Sequence, residues 1–176
     1  MNRASQSLEH SRGFTLVELM VTIAILAILL GIALPDFRQM LASERVRSAN
    51  SDLFSALLVA RSEAIKRNGT VTLVPASTIS WAGGWTVQAG GSPLQTQNAL
   101  NTSVAVVQQD SSNTTVSPTT VSFGGNGRPS PASADITFIF SSSAVPAVPA
   151  RCTSLTLAGL PETKRDTDGN PANGCQ

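Results

Sequence analysis

Between Gly13 and Pro35 the chain reads GFTLVELMVTIAILAILLGIALP, and the 21 residues from Phe14 to Leu34 are interrupted only by Thr15, Glu18, Thr22 and Gly31. A helix of that length, at about 1.5 Å per residue, is roughly 31 Å long and spans the hydrocarbon core of a bilayer. One residue does not belong in such a segment. Glu18 is a carboxylate near the start of the run, where an acidic group at a helix centre costs about 2.5–3.5 kcal/mol and less toward an end. A sequence that keeps this charge has a use for it.

Ahead of the run lies a polar leader, residues 1–13, carrying Arg3 and Arg12. A secretory signal peptide would put its small-residue cleavage site after the apolar region. Here the obvious small-residue junction, Gly13-Phe14, precedes it, so cleavage there removes the leader and leaves the apolar helix in the mature chain.

The helical period continues beyond the span. Phe37, Met40, Leu41, Val46, Ala49, Leu53, Ala56, Leu57, Ala60 and Ala64 recur at three- and four-residue spacings, which predicts an amphipathic helix over 35–69. Arg45, Asp52, Arg61, Glu63, Lys66 and Arg67 fall on its polar face. Asn68-Gly69 supplies the stop, with Gly69 expected in the left-handed cap. One helix from Phe14 to Asn68 would be roughly 80 Å long, and Gly31 and Pro35 are expected to bend it.

After Gly69 the period changes from 3.6 to 2. Residues 70–150 hold only Asp110, Arg128 and Asp135 as charges and are rich in Thr, Ser, Val and Gly, a β composition. Strands are expected at Thr70–Val74, Val104–Gln108, Thr119–Phe123, Asp135–Phe140 and Ser154–Leu157. Trp81-Ala-Gly-Gly-Trp85 reads as a tight Gly-Gly hairpin. Gly124–Arg128 and Pro129–Ser133 are turns, and Ala144–Ala150 (AVPAVPA) an extended connector. Residues 70–176 therefore read as one antiparallel β domain, with one sheet face free to pack on the helix.

The two cysteines, Cys152 and Cys175, enclose 22 residues of a loop-rich tail, and an even count outside the cytosol suggests a disulfide. The one histidine, His10, is in the leader, so neither a Cys/His metal site nor a Ser/His/Asp or Cys/His nucleophile can be assembled in the mature chain. Asp166-Thr-Asp168-Gly169-Asn170 starts like a calcium loop, but its glycine comes too early and no Glu follows; it reads as an Asp-Gly turn. GGNGR does not lie between a strand and a helix as a phosphate loop does. No enzyme and no cofactor are expected.

The string G-F-T-L-V-E-L resembles the type IV prepilin signature. The resemblance implies a peptidase that cuts after Gly13 and methylates the new N-terminal Phe14. It also implies that Glu18 pairs with the terminal amine of a neighbouring subunit. Farther on, ARSEAIKRNGTVTL (Ala60–Leu73), W-x-x-G-W-x-V (Trp81–Val87) and VSFGGNGRP (Val121–Pro129) resemble the GspH/FimT group of minor pilins and pseudopilins. That resemblance implies an α+β type IV pilin fold, a long N-terminal helix spine packed on a C-terminal antiparallel β domain. Its partners would be other minor and major pilins, the prepilin peptidase and an inner-membrane assembly platform. Pro35 and the ending P-D-F look like the FimT/FimU pilus branch, with a type II secretion pseudopilin as the alternative.

The positive-inside rule does not orient the chain, because Arg38, Arg45 and Arg47 follow the span; the cysteine pair and the resemblance place the β domain in the periplasm. A third reading is DNA uptake, since some FimT-like members bind DNA through a C-terminal Gly-Arg-x-Arg element. The corresponding stretch here is Gly159-Leu160-Pro161-Glu162. Lys164 and Arg165 are the remaining candidate contacts, and Glu162, Asp166 and Asp168 offset them. Affinity scales with phosphates neutralised, so DNA binding is expected to be weak.

Overall fold

The structure, a computed structural model, describes residues 13–129, 136–170, 173 and 175. The leader up to residue 12, Asp135 and most of the 129–133 turn lie outside the described residues. The chain divides into two units, residues 1–37 and 38–176.

Helix α1 runs over Leu16–Arg67, 52 residues, with Pro35 inside it and the α-helical backbone continuing on both sides. In the first unit, every described residue from Gly13 on is exposed, including the whole apolar run.

The second unit owns the core. Ala42, Val46, Ala49, Asn50, Leu53, Ala56, Leu57, Ala60 and Ala64 are buried, spacings of three and four that keep one stripe against the sheets. Alanines dominate that stripe, and their short side chains let the strands approach the helix closely. Phe37, Met40 and Leu41, counted in the stripe from sequence, are exposed, and burial begins at Ala42.

The helix ends in a Schellman motif. Asn68 N–H donates to Ile65 O at 3.1 Å and Gly69 N–H to Ala64 O at 3.1 Å. The left-handed residue is Asn68, φ 47°, and not the expected Gly69; asparagine tolerates that region, and glycine follows it.

Nine strands are described, and the antiparallel β domain is built of two sheets. The first has the order β3-β2-β1-β6, from β1 (Val71–Pro75), β2 (Trp85–Ala89), β3 (Ser92–Gln97) and β6 (Val121–Phe123). The second has the order β5-β4-β7-β8-β9, from β4 (Val104–Gln109), β5 (Thr115–Val116), β7 (Ile136–Ser142), β8 (Arg151–Leu155) and β9 (Pro161–Arg165). One hydrophobic cluster joins the helix stripe to both sheets, through Leu73, Trp85, Val87 and Phe123 on one side and Val106, Phe138, Phe140 and Leu155 on the other.

Several local expectations are corrected. Trp81–Gly83 is a 3₁₀ turn, not a hairpin; Ser80 Oγ caps it by accepting from Ala82 N–H at 3.1 Å. The turn lets Trp81 and Trp85 both enter the core, with ring centroids 6.4 Å apart. The Gly-Gly hairpin is the next such pair, Gly90-Gly91, with φ 56° and 83° between paired Ala89 and Ser92, as a primed two-residue turn requires. AVPAVPA is not extended: Val148 N–H donates to Val145 O at 3.1 Å, closing a turn that buries Val148 and Ala150. Strand β8 starts at Arg151 rather than Ser154, β6 at Val121 rather than Thr119, and β3, β5 and β9 are additions.

Two buried polar joints hold helix and sheets in register. Thr153 Oγ1 on β8 donates to Asn50 Oδ1 on α1 at 2.8 Å. Gln108 on β4 accepts from Trp81 Nε1 at 2.8 Å and Thr119 N–H at 3.0 Å, and donates through Nε2 to Thr119 Oγ1 at 2.8 Å.

Candidate functional site

The N-terminal end of α1 carries the residues that the sequence singled out for assembly. Thr15 is the N-cap. Its Oγ1 accepts from Glu18 N–H at 3.2 Å, while Glu18 Oε2 accepts from Thr15 N–H at 3.0 Å and Thr15 Oγ1 at 3.1 Å. This is a capping box, in which two otherwise orphaned N–H groups are satisfied reciprocally. The T-x-x-E spacing is itself a helix-start signal, one that the apolar run beside it overshadows in the sequence. Glu18 thus has a local partner in the isolated subunit, and its negative charge sits at the positive end of the helix dipole. Gly13 and Phe14 immediately precede the box and are exposed, Phe14 at 87 %. Beyond it, Gly31 has open space where a side chain would project.

At the other end of α1, two of the segments that carried the GspH/FimT resemblance, Ala60–Leu73 and Val121–Pro129, meet. Arg61 Nε donates to Gly127 O at 3.1 Å, and a side chain on Gly125 would meet Asn68 at 2.8 Å. Gly159, φ 78°, sits so close to Gly127 O that no Cβ fits between them. The ARSEAIKRN helix end, the FGGNGRP turn and the β8–β9 turn are therefore one joint. GGNGR is a structural turn, closed by Gly127 N–H to Gly124 O at 2.8 Å. Glu63, between Lys66 (3.3 Å) and Arg67 (2.7 Å), is held below the usual carboxylate range by Arg67 first and Lys66 second.

In the tail, Cys152 and Cys175 form a disulfide with Cα atoms 5.9 Å apart. Register places Cys152 opposite Ile139 and Lys164, so the bond lies on the outer sheet face, away from the helix, packed on Ile139 and Ala150. Arg165 pairs with Arg151 instead. Lys164 and Arg165 thus point to opposite faces of β9 and do not converge on one phosphate. Asp166 is buried next to this strand, with its carboxyl held above the usual range by burial first and by Asp168 second. Asp168 is held below that range, first by the Asn173 side-chain amide at 2.7 Å and then by Asn170 N–H at 2.8 Å. Among the described residues no three His, Cys, Asp or Glu side chains come together.

An exposed apolar helix with a capped carboxylate at its start, continued into a helix packed on antiparallel sheets, is the architecture of the pilin class and fits a membrane-anchored subunit of a pilus or pseudopilus. The family described as type II transport protein GspH matches residues 49–159, and the prokaryotic N-terminal methylation motif matches residues 10–34. The chain belongs to this GspH family of minor type IV pilins and pseudopilins.

Among solved structures it is similar to the type IV minor pilin FimU of Pseudomonas aeruginosa in two crystal forms. The first has 20 % identity and a TM-score of 0.55, covering 72 % of this chain and 92 % of that one. The second has 21 % identity and a TM-score of 0.53, covering 70 % and 94 %. The minor pseudopilin EpsH from the Type 2 Secretion System of Vibrio cholerae also matches, at 11 % identity and TM-score 0.49, over 72 % of this chain and 99 % of that one. No curated protein matches. The fold is the pilin fold, α+β, and the protein is a structural subunit, not an enzyme, that assembles with other pilins.

Proposed function

We propose that the protein is a minor type IV pilin that primes or caps pilus assembly. It is made as a precursor whose leader, 1–13, is removed by the prepilin peptidase between Gly13 and Phe14, with methylation of Phe14. Until assembly, residues 14–34 hold it in the inner membrane on the assembly platform, with the amphipathic segment 35–69 and the β domain 70–176 in the periplasm. Gly31 and Pro35 serve as the bend between membrane and domain.

The observation that carries this reading is the first unit of the structure. Its apolar surface is wholly exposed, and its one charge after Gly13 and before Asp36, Glu18, sits at the end. Such a surface must be covered by lipid or by neighbouring helices, and leaving the bilayer is tolerable only if it is exchanged for a helix bundle. Inside that bundle Glu18 meets the charged N-terminus of a neighbour, and an unpaired charge there would be strongly unfavourable.

The pilus, rather than secretion, is favoured by Pro35-Asp36-Phe37. The family description, type II transport protein, favours a secretion pseudopilin as the second reading. The test is Glu18→Ala in the native host, alongside a clean deletion scored for surface pili, protein secretion and DNA uptake. We expect Glu18→Ala to be processed and inserted normally but depleted from sheared pili, and the deletion to reduce piliation. Normal incorporation of the variant refutes the role of Glu18; a deletion that impairs secretion alone assigns the second reading.

A further inference from the structure

Asp166 is 2 % exposed, and both of its carboxylate oxygens are buried with no hydrogen-bond partner. Its position is set by the ladder. Asp166 N–H donates to Ala150 O at 3.0 Å, extending the β8–β9 pairing by one residue and turning the side chain onto the outer face beside Ala150. There it lines a cavity of about 530 Å³ together with Asp168, Ser141, Ser142 and the Pro146–Pro149 turn.

Asp168 is not a free surface acid. Asn170 N–H fixes its Oδ1 and the Asn173 amide its Oδ2, which orients the carboxylate and leaves each oxygen a further lone pair. A buried carboxylate beside a second one needs either a proton or a cation, because two like charges at close range disfavour joint ionisation. Every polar side chain lining the cavity offers oxygen, and the nearby cysteines are consumed in the disulfide. This donor set excludes soft metals and suits a hard cation. Calcium accepts irregular sets of carboxylate, hydroxyl and carbonyl oxygens, whereas magnesium requires near-ideal octahedral geometry.

We propose that the Asp166–Asp168 loop, closed over the cavity beneath the Pro146–Pro149 turn, is a calcium site that fastens the disulfide-bonded tail to the outer face of the second sheet. The early glycine and the missing downstream Glu argued against a calcium loop only on the premise that all ligands come from one continuous segment. The cavity brings Ser141 and the proline turn, some 20 residues earlier in sequence, to the same place. With two carboxylates the affinity falls in the weak range of extracellular modules, about 10⁻⁴ to 10⁻³ M.

The test is calorimetric titration of the full-length protein in detergent with CaCl₂ and separately with MgCl₂, together with melting curves in calcium or chelator. We expect calcium to bind in that range and to raise Tm by about 4–10 °C at about 10 mM, with little response to magnesium. Asp166→Asn should abolish both the binding heat and the shift. It should melt in chelator close to the wild type, since without calcium the buried carboxyl carries a proton and the amide nearly matches its size and neutrality. Absence of calcium heat with the wild-type protein, or unchanged binding by Asp166→Asn, would overturn the proposal and leave Asp166 as a protonated buried acid. Should the variant fail to fold, the wild-type titration still decides.

Discussion

Gln108→Met tests the polar joint between the two sheets. The substitution nearly conserves volume, so the cavity term is small. It removes the acceptor of the Trp81 indole N–H, and Trp81 has no exposed surface. Leaving that donor unsatisfied costs about 1–3 kcal/mol. The two bonds with Thr119 are also lost, but Thr119 is exposed and water replaces them, so their loss adds only about 0.5–1.5 kcal/mol. The sum is about 1.5–4.5 kcal/mol, which in a unit spanning residues 38–176 lowers Tm by roughly 5–15 °C. Melting of the full-length protein in detergent, followed by emission of Trp81 and Trp85, measures it. Trp81→Phe removes the donor itself while keeping the aromatic contact with Phe138, now edge-on at 5.1 Å. In that background Gln108→Met should cost about 1–3 kcal/mol less, the coupling a double-mutant cycle isolates. A loss below about 0.5 kcal/mol in the wild-type background, or no coupling to Trp81, would refute the view that this joint is a stabilising contact.

The two remaining predictions concern the ends of the chain. Gly13→Val should block processing and leave the full 176-residue precursor in the membrane, while mass spectrometry of wild-type filaments should find N-terminal methyl-Phe14; an intact leader in assembled pili would contradict the proposed maturation. Denatured, unreduced protein should show no thiol that labels, and replacing Cys152 and Cys175 together by serine should destabilise the second unit by about 2–5 kcal/mol in chemical unfolding; two labelling thiols in protein exported from the cytosol would contradict the bond.

What was legible in the sequence was legible for local reasons. The helix is written in the apolar run, in the three- and four-residue spacing from Val46 to Ala64, and in Asn68-Gly69 as its stop. Strands β1, β2, β4 and β7 are written in alternation of Val, Ile, Leu and Phe with polar residues. Where two local readings competed, the choice needed the core. Gly83-Gly84 and Gly90-Gly91 each fit a hairpin, but a hairpin at Gly83-Gly84 does not let Trp81 and Trp85 share one interior, and the pair at Gly90-Gly91 turns in open space. Strands β3 and β9 carry exposed, polar sequences, SPLQTQ and PETKR. Nothing in their own residues demands a strand, and their pairing to β2 and β8 supplies it.

The candidate site divides in the same way. Glu18, Gly13 and Phe14 stand out because a charge and a small-residue junction at the start of an apolar run are conspicuous without any partner. The capping box that holds Glu18 spans only the four residues Thr15 to Glu18 and is equally local. Asp166 was not: in sequence it is one acid among several in a polar tail. Its burial comes from pairing with Ala150 and from the turn at Pro146–Pro149. The same holds for Lys164 and Arg165, adjacent in sequence and separated onto opposite faces by the pleat. The sequence by itself therefore determined the long apolar helix, the residues at which it starts and stops and the place of Glu18 at its beginning, since these depend on contacts within a few residues. Only the tertiary structure decided the split into two sheets, the joint of Arg61 with Gly127 and the fate of the tail's charges, because each depends on a partner that folding alone brings near.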